Sequence, residues 1–326
     1  MKKEDLRIVF MGTPDFAVPS LEILLKNNYA VVGVITAPDK PAGRGLQLHE
    51  SPIKKFALEH NLFLMQPTNL KDEIFLQQLT SLNANLQIVV AFRMLPQVVW
   101  QMPSLGTFNL HGSLLPQYRG AAPINWAVIN GETETGVTTF FLQHEIDTGK
   151  VIHQATCSIH ENETAGNIHD KLMLIGADLV LKTVNDIAGE SIVAVEQNQI
   201  TTKQALRTAP KISKQDCSID WKNNCAAIYN KVRGLNPFPT AWAEFANANN
   251  ETISVKLFEC KKEIIAHTLI AGAIVTDNKL FLKIACNDGF IEIVKLQLAG
   301  KKSMSTLEFL RGFQFKTEWF AKESQK

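Results

Sequence analysis

The sequence predicts an α/β fold: a Rossmann-like, mostly parallel sheet followed by a small C-terminal β-barrel of OB-like form. Three observations carry this expectation. Over residues 1–195, short apolar runs alternate with amphipathic stretches of helical period, the pattern of a parallel sheet covered by helices. Residues 196–212 then turn polar, rich in Gln, Thr and Lys with Pro210 inside, and read as a linker. From 213 to 326, short strand-like runs recur at roughly 8–12-residue spacing, as in a small barrel or sandwich.

The elements follow in order. Arg7-Ile-Val-Phe-Met11 reads as a buried strand stopped by Gly12, and residues 15–26 place Phe16, Leu21, Leu24 and Leu25 at helical spacing. Between them, Gly12-Thr13-Pro14-Asp15-Phe16 lacks the G-x-G-x-x-G of a nucleotide loop and reads as a plain strand-to-helix turn. Next come a strand at 31–35, a polar loop at 36–50, a helix at 52–60, a short strand at 62–65, a helix at 71–82 and a strand at 86–91. Thr107 to Leu110 is a further strand, and 137–142 and 151–158 suit an antiparallel pair around Asp147-Thr-Gly149. Residues 164–189 read as one long helix, with Ile168, Leu172, Ile175 and Leu179 on its apolar stripe. In the last third, 226–232 is helical, and strands are expected at 241–245, 253–259, 273–275, 280–285 and 290–298.

The chain has 326 residues, 33 Lys+Arg and 32 Asp+Glu, so its net charge is +1. That length suits about two domains, and 45% apolar with 20% charged residues excludes disorder and coiled coil as expectations. No apolar run is long enough to span a bilayer and no secretory h-region follows Met1, so a cytoplasmic protein is expected; a monomer is the expectation for its oligomeric state. Near-neutrality by itself argues against a nucleic-acid partner, but it is a cancellation. Residues 1–202 carry a balance of −6 and residues 203–326 a balance of +7, an asymmetry that fits an acidic partner for the second half. The five cysteines form no C-x-x-C pair and their number is odd, so reduced thiols are expected rather than a metal site.

In an open parallel sheet, ligands bind beyond the carboxyl ends of the strands. After the strand at 107–110 stands Asn109-Leu-His111-Gly-Ser113-Leu114-Leu115-Pro116-Gln-Tyr118-Arg119-Gly-Ala-Ala-Pro123. Asn109 and His111 are two residues apart, so a strand puts both on one face. An amide and an imidazole converging there can bind a polarised carbonyl and handle a proton. Asp147, in the glycine-bounded turn, reads either as a turn former or as the acid that orients a histidine.

These stretches together, Asn109-Leu-His111-Gly-Ser-Leu-Leu-Pro116, Tyr118-Arg-Gly-Ala-Ala-Pro123 and Asp147-Thr-Gly149, resemble the folate-dependent formyltransferase family. The resemblance implies a catalytic set of Asn109, His111 and Asp147, with Ser113, Leu114, Leu115 and Pro116 along the folate. It implies 10-formyltetrahydrofolate as co-substrate and no metal. Three further stretches resemble the family's members that act on methionyl initiator tRNA: Val9 to Phe16, the loop Thr36 to Gly45 with Ser51-Pro-Ile-Lys54, and a C-terminal set. That set comprises Ile219-Asp-Trp221, Arg233 to Trp242 and Ala299-Gly-Lys301-Lys302-Ser-Met304. Arg93 departs from it, standing where many members show glycine. The tRNA partner is expected to meet Lys40 and Arg44 of the loop, Lys203, Arg207 and Lys211 of the linker, and Lys301 and Lys302. Two other readings are a formyltransferase for a small amine and a non-catalytic RNA-binding protein.

Overall fold

Ile8, Val9, Phe10 and Met11 are fully buried, and their strand, Arg7–Gly12, lies inside a seven-stranded sheet. The computed structural model describes residues 2–42, 47–202, 205–316 and 318–322. The chain divides into two compact units. One takes in Met1–Gly120, Glu134–Ser158 and His169–Thr208; the other takes in Ala121–Thr133, Ile159–Ile168 and Ala209–Lys326.

In the first unit the strand order is Val151–Ser158, Glu134–Phe141, Thr107–His111, Leu86–Val90, Arg7–Gly12, Ala30–Ile35 and Leu64–Met65. The last five run parallel and the first two are antiparallel to their neighbours. The expected mostly parallel sheet is therefore present. From Arg7–Gly12 the chain first builds outward through 30–35 and 64–65, then returns to add 86–90 and 107–111 on the other side. That reversal lies between 7–12 and 86–90, and a switch point of this kind opens a crevice at the strand ends. Gly12 pairs with Val90 and Val90 with Leu110, so the three strands end together. The strand-to-helix turn at Gly12 is tight: a Cβ there would lie 2.7 Å from the Ala17 Cβ.

Local chemistry starts the helices as expected. Ser51 caps Pro52–Glu59 by accepting the Lys54 amide at 3.0 Å, and Asp72 caps Glu73–Ser81 through the Phe75 amide. Phe75 and Leu79 then pack with Val9, Met11, Ile35 and Val89 on one face of the sheet; each such buried side chain contributes about 1.5–3 kcal/mol.

The stretch 36–50, expected as a loop, holds a short antiparallel hairpin, Lys40–Ala42 with Gln47–His49. Three-residue strands containing Pro41 show too little alternation to be read from sequence. Asp39 anchors its base, bonding to Lys54 and accepting from Gln66 Nε2 at 2.9 Å. Lys54 also pairs with Glu50 at 3.0 Å. The Lys54 and Gln66 bonds hold the Asp39 carboxyl below the usual range, and the Asp39 and Glu50 bonds hold Lys54 above its own.

The second unit is an antiparallel sheet in the order Ile274–Thr276, Leu282–Cys286, Gly289–Leu298, Thr252–Ile264, Ala241–Asn247, Trp319–Ala321. A bridge from Ala273 to Phe320 joins its two edges and closes the barrel. Trp221, Phe245, Leu257, Ile293 and Phe309 fill its core, with Ile228 and Val232 of the helix Cys225–Gly234. Two α-helices of this unit escaped the sequence pattern. Pro123–Ile129 is only seven residues long, and Thr306–Gly312 is announced only by its capping box, Ser305 with Glu308. No described helix is long and apolar enough to cross a membrane.

Candidate active site

Thr107–His111 ends at the sheet edge that the switch point opens. Pleating sends Phe108 and Leu110 into the apolar layer and turns Asn109 and His111 to the opposite face. Asn109 is half-buried, and its carboxamide makes no hydrogen bond among the described residues. His111 is buried, and its Nε2 lies 2.9 Å from the Tyr118 carbonyl oxygen. A carbonyl only accepts, so Nε2 carries the hydrogen and Nδ1 is the nitrogen that gains or loses a proton. Nδ1 lies 3.9 Å from the Asp147 Oδ2. Of the three expected catalytic residues, Asn109 and His111 thus share one strand face, and His111 faces Asp147.

Asp147 is held on several sides. Its backbone is left-handed, with φ 55°, a conformation that Asp tolerates better than most residues. Its Oδ2 accepts the Gly120 amide at 3.0 Å. Two residues on, Gly149 leaves no room for a side chain, since a Cβ would stand 1.7 Å from the Phe141 carbonyl oxygen. Tyr118, whose carbonyl fixes His111, is itself left-handed at φ 58°, a strained state for a bulky residue that its neighbours must hold. Its amide donates to the Arg207 carbonyl at 2.7 Å.

The loop 113–116 is fastened from behind by the two antiparallel strands. Thr138 Oγ1 donates to the Ser113 carbonyl at 2.6 Å and accepts the Leu115 amide at 3.1 Å. Gln154 Nε2 donates to the Leu115 carbonyl at 2.8 Å. The Ser113 hydroxyl is spent on the Gln117 carbonyl, and Ser113, Leu115 and Pro116 are buried. Of the four residues expected along the folate, Leu114 alone keeps partial exposure; the other three shape the loop. Thr138 and Gln154 were missed in the sequence, where strand threonines and glutamines carry no distinguishing signal.

Arg93 donates to the Pro67 carbonyl and, at 2.8 Å, to the Thr68 carbonyl. It ties the turn after the strand 86–90 to the turn after 64–65. Among the expected tRNA contacts, Lys40, Arg207, Lys211, Lys301 and Lys302 are exposed, while Arg44 and Lys203 lie outside the described residues. Lys40 and Arg207 belong to the first unit and Lys211, Lys301 and Lys302 to the second.

One group among the described residues has metal-ligating chemistry: Cys225, Cys286 and Asp288 in the second unit. The two sulfurs are 3.0 Å apart, closer than the roughly 3.7 Å between thiolates on a tetrahedral zinc with bonds of about 2.3 Å. Burial pushes the Cys225 thiol well above its usual range, so the thiolate that binds metal is disfavoured. The cysteines are 61 residues apart, a separation no spacing motif reports.

The comparisons with known proteins agree with this architecture. Residues 6–184 match the formyl transferase family, and residues 211–314 match the formyl transferase C-terminal domain; the chain belongs to this family. Its curated relatives include the methionyl-tRNA formyltransferase of Bacteroides thetaiotaomicron, 57% identical over 96% of this chain and 98% of the relative. That of Flavobacterium johnsoniae is 53% identical over 97% and 98%. Among solved structures, the sugar 3N-formyl transferase WlaRD aligns with a TM-score of 0.64 at 23% identity, over 91% of this chain and 99% of that one. HypX from Aquifex aeolicus in complex with tetrahydrofolic acid aligns at 0.61 and 17% identity, over 96% and 48%. At those identities the two structures share the fold.

Proposed function

We propose that this chain is an enzyme that transfers a formyl group from 10-formyltetrahydrofolate to the free amino group of methionyl initiator tRNA, for translation initiation in the cytoplasm. The observation that carries this reading is the likeness to methionyl-tRNA formyltransferases over both domains and almost the whole length. The Asn109 carboxamide, which makes no hydrogen bond among the described residues, shares a strand face with His111, and this supports it, because the two offer a donor and a proton acceptor where a carbonyl would react.

The folate supplies an activated formyl group on N10. As the amine attacks the formyl carbon, negative charge grows on the formyl oxygen, and Asn109 donates a hydrogen bond to it. His111 takes the proton of the attacking amine at Nδ1 and returns it to the departing N10. Asp147 stabilises the imidazolium between those events, while the Tyr118 carbonyl keeps Nε2 as donor and the ring in place. Holding donor and acceptor together supplies part of the rate, up to ~7–11 kcal/mol in ideal intramolecular cases. No metal takes part in this scheme. The chain works as a monomer, and Lys40, Arg44, Lys203, Arg207, Lys211, Lys301 and Lys302 receive the RNA. The test is incubation with 10-formyltetrahydrofolate and either methionyl-tRNA or free amino sugars. Formylation of methionyl-tRNA is expected; formylation of the free amine alone would reject the reading.

A further inference from the structure

We propose that Gln197 is a positioning residue for formyl transfer: its carboxamide clasps the Asp147–Gly149 turn to Arg119 and so sets the carboxylate that faces His111. The proposal rests on the reading of Asp147 and His111 given above. Gln197 stands in the polar stretch that resembles a linker, yet it is only 3% exposed. Its Nε2 donates to the Asp147 and Gly149 carbonyls, both at 2.9 Å. Its Oε1 accepts from Arg119 Nε at 3.0 Å and Nη2 at 2.6 Å.

Every hydrogen-bonding position of the amide is used. The orientation is dictated as well, since two carbonyls can face only the NH2 and a guanidinium can face only the oxygen. The clasp reaches Asp147 by two routes. One is the carbonyl of Asp147 itself, which pins a left-handed residue. The other runs through Arg119 to the adjacent Gly120, whose amide donates to the Asp147 carboxylate. Both segments come from far along the chain, 50 and 78 residues from Gln197. A filler of the interior needs none of this directionality, and an apolar side chain would serve as well.

The experiment compares Gln197→Met, of similar length but without the donors and acceptor, with Gln197→Glu, which keeps an acceptor for Arg119 but sets carboxylate oxygen against two carbonyls. With methionyl-tRNA and saturating 10-formyltetrahydrofolate, both are expected to lose ten-fold or more in kcat, with each KM within two-fold and a displaced pH–rate profile. In an Asp147→Asn background, Gln197→Met is expected to cost little further, because it acts through Asp147. Wild-type kcat and profile in Gln197→Met, or a full additional loss on top of Asp147→Asn, overturns the proposal. If Gln197→Met does not fold, Arg119→Met breaks the clasp from its other end under the same expectations. Asn109→Ala, measured alongside, separates the levels. Wild-type turnover there rejects the site reading and the clasp with it, whereas an inactive Asn109→Ala beside a normal Gln197→Met rejects the clasp alone.

Discussion

His111 Nδ1 faces the Asp147 carboxylate across 3.9 Å, while its Nε2 stays on the Tyr118 carbonyl. The separation is too long for a direct hydrogen bond and suits an ion pair or one bridging water. The carbonyl already fixes the ring, so the role proposed for Asp147 is to stabilise the charged imidazole during transfer rather than to orient it. Asp147→Asn keeps the shape of the turn and removes the charge. It is expected to fold normally, lower kcat and move the pH–rate profile. An unmoved profile would leave Asp147 as a turn former only.

Asn109 has no competing partner among the described residues, so its donor is available to a substrate oxygen. Asn109→Ala is expected to lower kcat by roughly 10²-fold or more, the scale of one lost oxyanion donor, with little change in melting temperature because no internal bond is broken. His111→Ala should match it in kcat. It should also cost some stability, since it removes the hydrogen bond to the Tyr118 carbonyl. Near-normal turnover in either variant at saturating folate would remove it from the chemistry.

The strands and long helices were legible because burial forces apolar runs and stripes: Ile8 to Met11 and Leu86 to Val90 can hardly be anything else. The pair Asn109 and His111 was legible because it is local to one strand and follows the period of two. The pairing of 40–42 with 47–49 was not, because its strands are three residues each, too short to show an alternation. Gln197, Thr138 and Gln154 were illegible for a different reason. What they do is decided by partners tens of residues away, and an isolated polar letter in a polar stretch carries no record of that.

Gly149 sits where any side chain would strike the Phe141 carbonyl, and its own carbonyl accepts from Gln197. Gly149→Ala must push the turn outward. Overpacking of this kind costs about 1–3 kcal/mol, and the displaced turn carries Asp147 with it. The expected outcome is a melting temperature lowered by several degrees together with a loss of kcat. A variant that melts normally would show that the turn yields without strain.

Asp39 and Lys54 anchor the hairpin through opposite shifts, the carboxyl held low and the ammonium held high. The sign follows for each. A lowered carboxyl contributes fully above its unfolded value and is lost as pH falls through its folded one; a raised ammonium contributes fully below its unfolded value and is lost as pH rises through its folded one. The anchor therefore holds between about pH 4 and about pH 10. Asp39→Asn is expected to raise KM for methionyl-tRNA several-fold while leaving KM for the folate unchanged. Its stability deficit against wild type, followed by thermal unfolding, should begin to shrink as pH falls below about 4 and vanish once pH has passed below the lowered folded value of Asp39. A deficit that persists in acid would assign Asp39 a role other than the ion pair.

Lys301 and Lys302 are adjacent and exposed, and they belong to the half of the sequence with a balance of +7. If their ammonium groups neutralise phosphates, tRNA binding falls linearly on a log–log plot against salt, with a slope of about −0.9 per phosphate neutralised on duplex. Replacing both by alanine should then weaken binding at low salt and make the slope shallower by about two. The replacement should leave the melting temperature within a degree or so, because exposed lysines contribute little to stability. Weaker binding with an unchanged slope would mean that the lysines shape the surface without touching phosphate. An unchanged affinity would move the RNA contact elsewhere on the chain.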